Sequence, residues 1–248
     1  LKAGIAPLLE MESGSNDPTA YMLTIIILTL LSSGKTNIYT LIFSQIIFGI
    51  ISGVVIGLLA KNYLDKIQLN EVGLKSIFVA ALALLAYALQ VGLNGNGFLS
   101  VYLFGIILGN SRLKKKVSLV HFFDSISHMM QILLFFLLGL LSFPSQIPDI
   151  IGPAILITLF LTFVARPLTV FICLTPFRVP FKQQLFISWC GLRGAASIVF
   201  AIMTVVSPAY TNNDIFHIVF FVALLSITFQ GSLLPLVAKW LKVEDDQN

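Results

Sequence analysis

Glu10, Glu12, Ser13, Asn16 and Asp17 stand close together near the start of the chain, directly ahead of an apolar run that carries no charge until Lys35. On a helix, Ser13, Asn16 and Asp17 fall at i, i+3 and i+4, and Glu12 lies four residues from Asn16. One face would then present two carboxylates, a hydroxyl and an amide. Hard oxygen ligands of this kind suit a monovalent cation. The same letters also spell a helix start, with Asp17 as N-cap, Pro18 in the first turn and the two glutamates at an interface.

Two bases lie inside apolar runs: Arg166 in "LTFVARPLTV" and Arg193 in "ISWCGLRGAASIVF". An arginine at mid-bilayer costs a few kcal/mol on the mildest scales (about 2.5–3.5) and cannot shed its charge, so it needs an acid or backbone carbonyls. Asp65, Glu71, Asp124, Asp149, Asp214 and the Glu244–Asp246 tail fall in connections or at the terminus, which leaves Glu10, Glu12 and Asp17 as partners. Gly191 and Gly194 flank Arg193 and would permit a break in a spanning helix, the kind of interruption that exposes dipole ends and bare carbonyls in transporters.

Elements that hold such residues must be membrane helices. The chain of 248 residues is 57% hydrophobic and 10% charged, with a mean hydropathy of +0.96, too few charges to cover a soluble surface. Eight apolar runs can be read between charged or Pro/Gly/Asn punctuation: Leu9–Leu31, Ile38–Ala60, Leu74–Val91, Gly97–Gly109, Met129–Phe143, Ile150–Thr175, Leu185–Val206 and Ile215–Val237. The fourth and fifth are short for a hydrocarbon core of roughly 30 Å, so tilt, snorkelling flanks or partial re-entry is expected there. The fold class expected is an all-α, polytopic membrane bundle of about eight spans.

Alternate connections carry nearly all the bases: Lys2, then Lys61, Lys66 and Lys75, then Arg112 and Lys114–Lys116, then Arg178 and Lys182, then Lys239 and Lys242. The opposite connections hold only Lys35. By the positive-inside rule both ends face the cytoplasm, and the net charge of +4 reflects topology rather than nucleic-acid binding. Gly49, Gly53 and Gly57, and again Gly105 and Gly109, recur at four-residue spacing and mark helix-packing faces. Cys173 and Cys190 read as small buried hydrophobes. The chain opens at Leu1 with no signal-peptide organisation, so it is expected to begin inside a longer protein.

The motifs "ESGSNDP" (Glu12–Pro18), "FVARPL" (Phe163–Leu168), "PFR" (Pro176–Arg178) and "FISWCGLRGA" (Phe186–Ala195), in that order, resemble the monovalent cation/proton antiporter superfamily. The likeness is to bacterial sodium or potassium/proton antiporters with an Asn-Asp pair, nearest the cell-volume-regulation potassium/proton branch. It implies a sodium/proton-antiporter-like fold with a discontinuous helix, and a homodimer in the full-length form. Residues 1–242 would then be a partial exchanger domain that lacks its upstream helices, and 243–248 a cytoplasmic tail. By resemblance, Asp17 is the ion- and proton-binding carboxylate, Asn16 its partner, and Ser13 a further oxygen. Glu12 is the acid paired with an arginine, Arg166 in preference to Arg193. "GAAS" at Gly194–Ser197 departs from the "GAVP" of that branch, which leaves potassium and sodium both open.

The mechanism expected is competition of a monovalent cation and a proton for Asp17, electroneutral because Asn16 adds no titratable charge. No cofactor is needed beyond the transported K+ or Na+ and H+, and the setting is a bacterial inner membrane. A cation channel or another proton-coupled transporter would use similar oxygens. An enzyme is disfavoured: HExxH and GxSxG are missing, and His121, His128 and His217 are scattered, with His128 read as a packing residue.

Overall fold

The computed structural model describes residues 4–32, 37–64, 66, 72–113, 116–141, 147–207 and 214–243, and among them every regular element is helical. Among the described residues, five stretches are long and apolar enough to cross a membrane: Ile38–Leu64, Gly73–Gln90, Lys116–Leu141, Ile150–Phe177 and Ile215–Leu241. Gly97–Gly109 and Ala196–Val206 are shorter apolar helices. Large side chains such as Leu84, Ile132 and Leu156 stand exposed along these helices, a surface suited to hydrocarbon rather than water. Lys2, Lys35, Lys114, Lys115, the end of the fifth expected span at 142–143 and tail residues 244–248 lie outside the described residues.

The first helix, α1, runs Ile5–Leu31 with Pro18 inside it. Asp17 is therefore in mid-helix, which sets aside its reading as an N-cap. Pro18 has no N–H to offer the Gly14 carbonyl, so this turn is held by one bond fewer. The chain forms two compact units whose boundary passes through α1: Gly14–Leu134 is one, and Leu1–Ser13 with Phe135–Asn248 the other.

The unit Gly14–Leu134 is built on α2 (Ile38–Leu64), α3 (Val72–Leu93) and α4 (Gly97–Gly109). Gly49, Gly53 and Gly57 let α2 approach α4 closely. A Cβ on Gly53 would meet the Ser100 carbonyl at 2.5 Å. Gly105 and Gly109, expected on a similar face, have nothing within 4 Å of a Cβ. They line an apolar cavity of about 300 Å³ with Val79, Phe104 and Phe123 instead. Four-residue glycine spacing permits close approach but does not supply the partner helix.

A tight turn joins α3 to α4, with Asn94 in the left-handed region (φ 52) and the Gly95 N–H donating to the Gln90 carbonyl at 3.1 Å. Polar side chains stitch the three helices: Gln90 Nε2 donates to Ser52 Oγ at 2.5 Å, and Ser52 Oγ lies 2.8 Å from Ser100 Oγ. The α5 helix spans Lys116–Leu141 and so starts well before the expected Met129. Ser118, His121, Asp124, Ser125 and His128 share a helical stripe, and they extend the helix as an exposed polar face rather than ending it. His128 is exposed there, not packed.

In the other unit, α6 (Ile147–Phe160) continues through a wider π segment, Leu161–Ala165, into α7 (Arg166–Leu174). Pro167 explains the widening, because its ring would clash with the carbonyl four residues back. The Arg166 N–H bonds to the Leu161 carbonyl, five residues back. After a turn at Thr175–Phe177, α8 covers Phe181–Trp189, α9 Ala195–Val206 and α10 Asp214–Leu225. A second π segment, Ser226–Gly231, leads into α11 (Ser232–Leu241) and ends four residues ahead of Pro235. The core of this unit gathers Ile5, Val170, Phe186, Ile187, Ala238, Leu241 and Val243. Cys173 is exposed on α7 and Cys190 half-buried. The expectation of burial fails for Cys173 because an apolar side chain of a membrane helix can face lipid as well as protein.

Candidate functional site

The polar residues of α1 divide between two settings. Glu12 takes both terminal nitrogens of Arg166: Nη2 donates to Oε2 at 2.8 Å and Nη1 to Oε1. This is the two-pronged geometry that a planar guanidinium offers a carboxylate. The Arg166 side chain is 17% exposed and that of Glu12 37%, so the pair lies mostly out of contact with solvent. Arg166 Nε is buried without a partner among the described residues. A Cβ on Gly191 would stand 2.5 Å from it. Glycine at 191 therefore leaves the space through which the arginine stem passes.

Gly191 belongs to a break in the helix, since α8 ends at Trp189 and α9 resumes at Ala195. Breaking a helix strands backbone groups, and two side chains of the second π segment satisfy two of them, the Trp189 carbonyl and the Arg193 N–H. Gln230 Nε2 donates to the Trp189 carbonyl at 2.9 Å, and Trp189 Nε1 donates to the Gln230 carbonyl at 3.2 Å. Ser226 Oγ donates to Gln230 Oε1 at 2.8 Å and accepts the Arg193 N–H at 3.2 Å. The Arg193 side chain is half-buried, pairs with no carboxylate among the described residues, and feels Arg166 as a like charge. The structure thus brings Glu12 to Arg166 and not to Arg193.

In the other unit, Asp17 is half-buried and Asn16 exposed on α1. No ion pair joins Asp17 to any base among the described residues. The next residue, Pro18, is buried, and its carbonyl accepts a hydrogen bond from Asn96 Nδ2 at 2.8 Å. Ser13 is exposed and shares with Asn16 and Asp17 the helical spacing of α1.

A family model described as the transmembrane sodium/hydrogen exchanger matches residues 1–240. The chain belongs to the sodium/hydrogen exchanger family. Among curated members of that family, it is 38% identical over 247 residues to "K(+)/H(+) antiporter NhaP" of Alkalimonas amylolytica, covering 98% of this chain and 43% of the relative. It is 36% identical to "K(+)/H(+) antiporter NhaP2" of Shewanella baltica, again over 98% of this chain and 43% of the relative. It is 29% identical to "Probable Na(+)/H(+) antiporter 2" of Methanocaldococcus jannaschii, over 80% of this chain and 50% of the relative. The chain spans about half the length, or less, of these exchanger relatives.

The exchanger fold is seen directly in a solved structure, that of the sodium proton antiporter MjNhaP1 from Methanocaldococcus jannaschii at pH 8. It superposes with a TM-score of 0.82 at 24% identity, over 98% of this chain and 65% of that one. That likeness shows the fold, an all-helical antiporter bundle.

Asn96, Ser226 and Gln230 carry the contacts that the sequence reading did not single out. Each is a lone polar residue inside or beside an apolar run, and such residues face protein rather than lipid. That signal was available, though it names no partner.

Proposed function

We propose that the full-length protein exchanges a monovalent cation, potassium or sodium, for protons across the membrane, with cation and proton competing for Asp17. One observation carries this reading. Of the two motif carboxylates, Glu12 is neutralised by Arg166, whereas Asp17 has no base paired with it among the described residues. A carboxylate without a fixed counter-ion in an apolar bundle is stabilised by whatever cation reaches it, a metal ion or a proton. Loading one displaces the other, and this couples the two flows.

Asn16 lies beside Asp17 and offers an amide oxygen with no charge of its own, so one proton moves against one cation. Glu12 and Arg166 hold their helices together and stay charged. The break at Gly191–Gly194 interrupts an apolar run, as the discontinuous helices of alternating-access transporters do. The names of the relatives favour potassium, and the alternation of bases puts both ends of this chain in the cytoplasm of a bacterial inner membrane. The full-length protein works as a homodimer in this reading.

The test uses the full-length protein in proteoliposomes with a trapped pH dye. Potassium or sodium drives proton movement in the wild type, and the cation that does so is the substrate. Asp17→Asn abolishes the response. Undiminished exchange in Asp17→Asn would remove Asp17 from the mechanism.

A further inference from the structure

We infer that Asn96 is a positioning residue for Asp17, an inference that rests on the exchange reading above. Asn96 is 2% exposed and uses both ends of its amide. Oδ1 accepts from the Leu99 N–H at 3.0 Å and caps α4, while Nδ2 donates to the Pro18 carbonyl at 2.8 Å. Its own N–H donates to the Gln45 carbonyl at 3.2 Å. A single residue therefore fastens α1, α2 and α4.

The bond to Pro18 matters because of where Pro18 stands. It follows Asp17 directly, and as a proline it has removed a backbone bond from this turn of α1. With that bond gone, the helix fixes the rotation and height of Asp17 less firmly, and the Asn96 amide supplies a tie from outside. Two more contacts lie on the same stripe of α1. A Cβ on Gly14 would stand 3.0 Å from Tyr102 Cε2, and the Tyr21 ring lies 5.1 Å from that of Phe98. Gly14, Pro18 and Tyr21 recur at i, i+4 and i+7, and Asp17 borders them at i+3.

Only an amide of this length does both jobs. The cap needs an acceptor and the Pro18 carbonyl needs a donor, and asparagine has one of each on a short stem. Serine and glycine also start helices well. A serine hydroxyl engaged at the cap cannot also reach Pro18, and glycine offers nothing. Asn96→Ser and Asn96→Gly therefore separate the tie from the cap.

The experiment measures cation-driven proton exchange by Asn96→Ser and Asn96→Gly in the full-length protein, with Asp17→Asn in parallel and thermal melting of each. The expected result is near-wild-type melting with cation half-saturation raised roughly tenfold and a smaller change in maximum rate, as for a slightly misplaced ligand. Wild-type half-saturation in a folded variant would reduce Asn96 to a helix cap, and failure of both variants to fold would make its role purely structural. Either result overturns the inference. Exchange surviving in Asp17→Asn would instead overturn the reading on which it rests.

Discussion

Gly191 lies against the stem of Arg166, so close that a methyl group there would stand 2.5 Å from Nε, 2.9 Å from Cδ and 3.1 Å from Cγ. Because Nη1 and Nη2 of the same side chain grip Glu12, an added carbon would have to push on the ion pair. Gly191→Ala is expected to lower stability by about 1–3 kcal/mol, the usual range for overpacking. Gly194→Ala, three residues on, meets nothing within 4 Å and should melt close to the wild type. Equal melting of the two variants would mean that Arg166 has room to move.

The Glu12–Arg166 pair can be tested by a double-mutant cycle. Removing the acid strands a guanidinium that cannot neutralise, whereas removing the base leaves a carboxylate that can take a proton. Glu12→Gln is therefore expected to cost about 2 kcal/mol and Arg166→Gln less on electrostatic grounds, both below the figure for a fully buried pair because Glu12 is 37% exposed. The double variant should recover part of the loss, as read by unfolding in detergent. Strictly additive losses would show that the pair contributes no coupling.

Gln230 repairs the broken helix by bonding to the Trp189 carbonyl and accepting from Ser226. Gln230→Leu should leave that carbonyl without its donor at a cost of about 1–3 kcal/mol. Proteolysis near residues 190–194 would report the loosening directly, and an unchanged digestion pattern together with wild-type melting would count against the repair.

At the contact of α2 with α4, Gly53 faces backbone rather than a flexible side-chain end. Gly53→Ala must move one helix, and its melting temperature should fall clearly below that of Gly105→Ala, which enters open space. The comparison fails if the order of the two melts is reversed.

How far the letters carry can be judged residue by residue. Among the described residues the eight apolar runs fall on helices, the seventh interrupted at 190–194, because an apolar stretch in hydrocarbon has little alternative to satisfying its own backbone. Their ends were less legible. The polar stripe of α5 reads as punctuation in linear order, whereas a helix sorts its residues by face. The break at residues 190–194 was signalled by paired glycines. The groups that repair it, Ser226 and Gln230, come from more than thirty residues away, a contact that spacing does not encode. Pro18 invited a helix start, but the helix already formed from Ile5 carries through it.

The widened turn at Leu161–Ala165 acts as a phase shift. Each residue turns an α-helix by about 100°, so the extra residue rotates everything after it relative to everything before. Leu156, Leu159 and Phe160 stay exposed upstream, while Arg166 is turned inward to reach Glu12. The length of chain between the lipid-facing leucines and the arginine is thus fixed to the single residue. Deleting one there would turn the arginine by about 100° and point the charge at the membrane.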